Sequence, residues 1–401
     1  MLSIKEFWHI TLIGFLCLIF LPAWGVDSDI VYLTWLRDPT TTMTIQWHTG
    51  LSKNSSQLHY TEGESNQWMQ STGTHQLLAS SSILVHTVEL TSLTPDTLYH
   101  FRLEEKTYCF RTLPATLNSR PVRFVTAGDA FLYLSPFKKM NQKIAQTNPD
   151  FILVGGDIAY THGVKSIFDN KQWQIKRWQT FLREWTHQMV TSDGRLIPLL
   201  AILGNHDIKT SYNDPQCRQK HFFQLFAMPE ESLAYRAYII GNYLSLILLD
   251  SGHRSPIHGE QTEWLRKTLK EHYALPYRLA AYHIAAFPSV YKATGNTPSL
   301  IRKYWLPHFE RTHLQVAFEH HNHAFKRTHP IKNGRMNPSG VLYLGDGCWG
   351  VKPRAPRKPS QVDYLADARK VNHFWLTTLT PNQMLLQAFD MKGHIIDQIS
   401  Y

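Results

Sequence analysis

The 401-residue chain contains four cysteines. Cys17 falls in the apolar amino-terminal stretch, which leaves Cys109, Cys217 and Cys348 further along. Three thiols close at most one internal disulfide, so a disulfide scaffold is excluded. Past residue 25 no apolar run is long enough to cross a bilayer, which excludes a membrane span in the mature chain. Low-complexity tracts and collagen-like repeats are absent, and an apolar fraction of 43% supports a sizeable buried core. Acidic residues are the minority charge, giving a net +10 that favours anionic partners. The basic residues are scattered, however. Their one cluster, "KPRAPRKP" at 352–359, reads as a proline-stiffened loop, so no nucleic-acid partner is indicated.

The first 25 residues, "MLSIKEFWHITLIGFLCLIFLPAWG", have the layout of a secretory signal. Lys5 comes early, an apolar stretch runs from Ile10 to Pro22, and Ala23-Trp24-Gly25 forms a small-x-small cleavage site. Leu16 before Cys17 argues against a lipoprotein anchor. The expectation is a secreted or periplasmic protein. Three units follow: a signal peptide at 1–25, an all-β domain at 26–118 and a larger α/β domain at 119–401.

The all-β expectation comes from short alternating stretches, "TMTIQWHT", "SQLHYTEG", "LVHTVELTSL" and "TLYHFRLEE", separated by turn residues. "HTVELTSLTPDTLYHFRL", with Leu93, Pro95 and Tyr99 at its turn, resembles the edge of a fibronectin type III-like sandwich. From Val122 the rhythm changes to apolar strands alternating with helical patterns, the mark of an α/β sheet. "SPFKKMNQKIAQ" places Ser135 as an N-cap and Pro136 at the first helical position. Trp178, Phe181, Leu182, Trp185 and Met189 recur at helical spacing and are expected in the core.

Polar residues collect where the apolar strands end. "VRFVTAGD" runs into Asp129, and "DFILVGGDIAY" runs into Asp157 and Tyr160. "LIPLLAILGNHD" ends on Asn205, His206 and Asp207, "YRLAAYH" on His283, and "LQVAFEHHNH" on His321 and His323. In open α/β sheets the carboxyl ends of the strands border one crevice, where ligands bind. Each Asp taken singly is more often a turn former. The ordered set of carboxylates, amide, phenol and imidazoles is a much stronger signal.

That set, Gly128-Asp129, Gly156-Asp157-x-x-Tyr160, Gly204-Asn205-His206-Asp207, His283 and His321-x-His323, resembles the calcineurin-like metallophosphoesterases. The tyrosine and the preceding β domain are similar to the purple acid phosphatase type, and the closing "LLQAFDMKGHIIDQIS" is similar to that branch's last hairpin. The fold implied is a metallophosphoesterase β-sandwich flanked by helices. Two positions depart from the pattern. Phe131 stands where the family often has Gly or His, and His320 replaces the usual glycine before the histidine pair.

The resemblance implies two metal ions bridged by Asp157. Asp129, Tyr160 and His323 would complete one site, and Asn205, His283 and His321 the other. Residues two apart on an extended chain point the same way, so His321 and His323 are expected to reach neighbouring ions, with His320 facing away. Asp129, Asp157, a Tyr160 phenolate and a bridging hydroxide sum to four negative charges, so a ferric plus a divalent ion leaves about one positive charge for phosphate, which hard oxygen donors also favour. The divalent ion would be Zn, Mn or Fe. His206 is the candidate for stabilising phosphoryl charge or protonating the leaving group, and His253 is a second candidate for substrate contact. Cys348 has no partner pattern for a nucleophile.

The expected activity is hydrolysis of small phosphomonoesters by a metal-bound hydroxide. Metal binding lowers the pKa of water from about 15.7 to roughly 7, and a general base alone supplies only about a hundred- to ten-thousandfold. The rival within enzymes is a phosphodiesterase or nucleotidase with the same metals. The rival from another class is an extracellular binding protein whose phosphoesterase domain has decayed.

Overall fold

The computed structural model describes residues 29–163, 170–208, 220–228 and 233–401. The expected signal peptide, Cys17 and Cys217 lie outside the described residues.

Residues 31–111 form two antiparallel four-stranded sheets. One runs in the spatial order Val31–Thr34, Met43–Gly50, Ile83–Leu90, Thr74–Leu77, and the other Met69–Thr72, Gln57–Glu62, Leu98–Leu103, Lys106–Arg111. Alternation turns Leu58 of Gln57–Glu62 and Tyr99 and Phe101 of Leu98–Leu103 inward, and the sheets bury Leu58, Val88, Phe101 and Phe110. The Tyr99 hydroxyl, at the turn marked in the sequence, accepts the Thr94 N–H at 2.9 Å.

The larger unit pairs a six-stranded and a seven-stranded sheet. In the first, Leu199–Ala201, Phe151–Val154 and Val122–Ala127 are parallel, and the antiparallel strands His373–Thr380, Gln383–Asp390 and Ile395–Ser400 continue it. In the second, Leu244–Leu248, Tyr277–Ile284, Val316–His320 and Leu342–Gly345 are parallel neighbours. Strands such as "FILV" and "LSLIL" are buried along their whole length, as expected for sheets covered on both faces. Phe124, Phe151 and Leu200 from one sheet meet Leu246, Leu279, Val316 and Phe318 from the other in a single core. That core also takes in Val31, Trp35 and Tyr99, so the amino-terminal sandwich packs directly on the larger unit.

Helices cover both outer faces. Leu134–Gln146 and Lys171–Gln188 pack on the six-stranded sheet, while Glu260–Glu271, Asn296–Tyr304 and Leu306–Arg311 pack on the other. Trp178, Phe181, Leu182, Trp185 and Met189 are all buried, as their spacing predicts. The capping expectation fails. The helix begins at Leu134 with Tyr133 in the cap position and no side-chain cap, so Ser135 lies inside the first turn. Entry is fixed instead by the Tyr133 N–H, which donates to the Gly350 carbonyl at 3.1 Å.

Candidate metal centre

The parallel strands of both sheets point their carboxyl ends at one place. Asp129 follows the strand ending at Ala127, Asp157 the one ending at Val154, and Asn205 the one ending at Ala201. His283 is the penultimate residue of Tyr277–Ile284, and His321 follows Val316–His320. The backbone there is strained. Asp129 (φ 57°), Asp157 (51°), Tyr160 (50°), His321 (75°) and His323 (59°) all occupy the left-handed region. Each such non-glycine residue costs on the order of 1–3 kcal/mol, and strain of this kind concentrates at functional sites.

The strain corrects one expectation. His321 and His323 do not converge through strand alternation, because the chain leaves the strand at His320 and turns. The turn is held by the Asp346 carbonyl, which accepts the N–H groups of Asn322 and His323 at 3.0 Å each.

Two groups of donors result. Asp157, His283 and His321 form one, and Asp129, Asp157 and His323 the other, with the ligand atoms of each group within 4.8 Å of one another. Asp157 belongs to both. The remaining candidates adjoin these groups. The Tyr160 hydroxyl lies 3.1 Å from Asp129 Oδ1 and 3.0 Å from His323 Nε2, and Asn205 Oδ1 lies 3.1 Å from His283 Nε2.

The donors are oriented by their surroundings. His283 Nδ1–H donates to the Gly155 carbonyl at 2.8 Å, which aims Nε2 at Asp157 Oδ2, 3.3 Å away. The His206 N–H donates to Asp157 Oδ1 at 2.7 Å, and the His321 N–H to Asp129 Oδ2 at 2.9 Å. Asp207 acts at the same level. Its two oxygens accept the N–H groups of Ile158 and Gly204 at 2.8 and 2.9 Å, tying together the turns that carry Asp157 and Asn205. A Cβ on Gly204 would come within 2.2 Å of Asp157 Oδ1, so only glycine leaves the carboxylate its place.

Electrostatically the site calls for cations. Burial alone would raise Asp157, but the surrounding imidazoles, His283 first, hold it well below the usual carboxylate range. Burial would likewise lower His283, yet Asp157 outweighs it and raises the imidazole to about 9. Both ring nitrogens of His283 then face oxygen acceptors, and the second proton stands where a metal ion would bind. Tyr160 is pushed well above its ordinary value by burial and then by Asp129, so a phenolate there needs an adjacent cation. Asp157 Oδ2 and His321 Nδ1 are buried without a hydrogen bond among the described residues. Carboxylate, phenol, imidazole and amide donors that converge in this way, two of them unsatisfied, fit a pair of metal ions.

Two family profiles match the chain. The profile of the family described as Calcineurin-like phosphoesterase matches residues 122–325, and that described as Purple acid Phosphatase, N-terminal domain matches residues 29–126. The chain belongs to the calcineurin-like phosphoesterases, in their purple acid phosphatase branch. It is similar to purple acid phosphatase 15 of Arabidopsis thaliana, 25% identical over 369 residues that cover 80% of this chain and 66% of that protein. Similarity to Arabidopsis purple acid phosphatase 21 is 24% identity, over 66% of this chain and 58% of that one. The chain thus spans less than two thirds of the length of each of these relatives, 66% of one and 58% of the other. In fold it resembles the purple acid phosphatase PPD1 from yellow lupin seeds, with a TM-score of 0.78, 15% identity and coverage of 94% and 74% of the two chains. The structure of PhoD follows at 0.66 and 12% identity, covering 92% of each chain.

Within this family framework the two departures have physical accounts. Phe131 is buried against Phe137 and lies under the Arg177 guanidinium, 4.4 Å from the ring centroid, so it serves packing. His320 is buried with its ring against Gly128 and Gly155. A Cβ on Gly155 would lie 1.9 Å from His320 Nε2, so the bulk gained at 320 is matched by its absence at 155. His253, the second substrate-contact candidate, is 6% exposed and packs beside His283 at 5.6 Å between centroids. Cys109 and Cys348 are free thiols, and Cys348 is buried.

The crowded histidines give a direct test. His320→Ala is expected to cost about 1–3 kcal/mol of stability through the cavity it leaves, with metal content close to wild type. His321→Ala and His323→Ala should each lose metal and activity. Metal analysis of the three variants checks this, and loss of metal from His320→Ala with retention in His321→Ala would put the motif in the wrong register.

Proposed function

We propose that the chain is a secreted, dinuclear metal-dependent phosphatase that hydrolyses small phosphomonoesters. The observation that carries the reading is the sharing of one fully buried carboxylate, Asp157, between two donor triads. Asp129, Tyr160, His323 and Asp157 would hold one ion, and Asn205, His283, His321 and Asp157 the other. The oxygen-rich set suits a ferric ion, and the imidazole and amide set suits Zn, Mn or ferrous iron. When bound, such a pair supplies Lewis acidity toward phosphoryl oxygens and lowers the pKa of water to about 7.

The chain's own residues do the rest. Nδ1–H of His206 donates to the His162 carbonyl at 2.6 Å, and the ring stacks on Tyr160 with 4.7 Å between centroids. This orientation leaves Nε2 facing the site, 3.9 Å from Asp157 Oδ2, on a side chain that is a quarter exposed. His206 is therefore placed to meet a bound phosphoryl group, where it stabilises the developing charge or hands a proton to the leaving oxygen. His253, being buried behind His283, is the weaker of the two for substrate contact. Tyr160 packs with Cys348 and Val351 in a small buried cluster. Among the described residues no helix is long and apolar enough to cross a membrane.

The test is reconstitution with iron plus zinc, followed by hydrolysis of a nitrophenyl phosphate monoester and diester. A higher kcat/KM for the monoester is expected, with a visible absorption band that Tyr160→Phe removes. A clear diester preference would replace the phosphatase with a phosphodiesterase. A colourless, iron-loaded wild type would remove the ferric–tyrosine assignment.

A further inference from the structure

The basic segment 352–359, which neither the core nor the donor triads account for, is fastened to the rim of the site. Arg357 holds it there. Its Nη2 donates to the carbonyls of Pro288 and Tyr291 at 2.6 and 2.7 Å and to the Tyr364 hydroxyl at 2.9 Å. Asn322, between the two candidate ligand histidines, fixes the facing loop from the other side. Its Oδ1 accepts the N–H groups of Val290 and Tyr291, each at 3.0 Å.

Between these anchors sit Tyr291 and Arg354. The Tyr291 ring lies 5.2 Å from that of His321 and is 42% exposed, so it forms part of the mouth of the site. The Arg354 N–H donates to the His323 carbonyl at 2.8 Å, which places the residue beside both histidines. Its guanidinium stands over the Tyr291 ring, 5.3 Å from the centroid. Nη1 donates to the Tyr291 hydroxyl and approaches the His321 carbonyl at 3.5 Å.

Arg354 keeps more of its guanidinium free than its neighbour Arg357, whose Nη2 is taken by two carbonyls and a hydroxyl. Arg37, Arg120, Arg195, Arg266, Arg327 and Arg369 each pair with a carboxylate. Among the described residues Arg354 pairs with none, and Nε and Nη2 take no partner. A guanidinium held by a phenol and a carbonyl, at the edge of the proposed phosphoester site, keeps a two-pronged face for oxyanions.

We propose that Arg354, braced by Tyr291, grips the phosphoryl oxygens of a dianionic monoester and sets the preference for monoesters over diesters. This rests on the phosphatase reading above and adds a specificity residue to it. A monoester presents a further charged oxygen that a diester replaces with an ester group, so only the monoester satisfies both the metal-facing groups and the guanidinium fork.

The test uses the metal-loaded full chain as wild type, Arg354→Ala and Arg354→Lys. Three quantities are read: metal content, the Kd of inorganic phosphate by calorimetry, and kcat and KM for nitrophenyl phosphate mono- and diesters. Arg354→Ala is expected to keep its metal, to raise the phosphate Kd and the monoester KM by about ten- to a hundredfold, and to change the diester kcat/KM by less than about threefold. Arg354→Lys should recover part of the loss, because it keeps the charge without the planar fork. Unchanged phosphate affinity and KM in Arg354→Ala would overturn the inference alone. So would an equal loss on both esters, or loss of metal, which would make the residue a brace for the histidine turn. A metal-loaded wild type that neither binds phosphate nor hydrolyses either ester would overturn the phosphatase reading, and this inference with it.

Discussion

Asp157→Asn is expected to reduce phosphoester hydrolysis by about three orders of magnitude or more. It should also leave at most one metal equivalent per chain. The expectation follows from position and charge. Asp157 is the one residue common to both donor triads, it is fully buried, and three imidazoles hold it ionised. Replacing one oxygen by an amide keeps the shape and removes the charge that both ions would share. Charge stabilisation by a metal pair is worth several kcal/mol, and each ~1.4 kcal/mol is tenfold in rate. The Oδ1 that accepts the His206 N–H is retained in one amide orientation, so the fold should survive. Steady-state kinetics and metal analysis on the same preparation check both parts. Full activity with two bound metals in the variant would remove Asp157 from the bridge.

The largest effect on stability is expected from Lys326→Met. Lys326, Glu319 and Asp346 are all completely buried behind the site. The lysine ammonium donates to Glu319 Oε2 and the Phe287 carbonyl, and lies 3.1 Å from Asp346 Oδ1. Glu319 Oε1 accepts the Tyr282 hydroxyl at 2.6 Å and the Ala286 N–H at 2.7 Å, while Asp346 Oδ2 accepts the Ser289 N–H at 2.8 Å. Removing the cation leaves two carboxylates without a counter-charge in the interior, at a cost of about 3–5 kcal/mol. Because the Asp346 carbonyl holds the Asn322–His323 turn, metal affinity should fall as well. Denaturant unfolding reads the first effect. Neutralising the carboxylates together with the lysine, as Glu319→Gln, Asp346→Asn and Lys326→Met, should recover most of the loss. A single-variant loss below about 1 kcal/mol would show that the network contributes little.

Much of this fold is legible in the sequence because buried parallel strands are apolar throughout and stop abruptly at polar residues. Asp129, Asp157, Asn205, His283 and His321 each mark such a stop, and the topology brings all five to one crevice. The helix with Trp178 and Trp185 is legible for a different reason, since its aromatic side chains repeat at helical spacing and face one sheet.

Other features leave weaker traces. "FEHHNHAFKRT" contains Glu319 and Lys326, yet buried and solvated charges look alike in a sequence, and the partner Asp346 arrives from a distant strand end. The sequence suggests an extended histidine segment because alternation is a sequence property, whereas a left-handed conformation at a non-glycine residue is imposed by tertiary contacts. Asp207 stands within a legible motif, but its bonds to Ile158 and Gly204 depend on two turns meeting. Arg354 belongs to a stretch legible only as a basic, proline-rich loop, and its place beside His321 and His323 depends on where Arg357 pins that loop.

Elemental analysis of the purified wild-type chain, coupled to its activity before and after chelation, is the most direct measurement of a dinuclear hydrolytic site. Two tightly bound metal equivalents per chain are expected, with hydrolysis of the monoester lost on chelation and restored by iron plus a divalent ion. A folded chain that hydrolyses the ester at full rate with one equivalent or none would contradict a pair of ions bridged by Asp157.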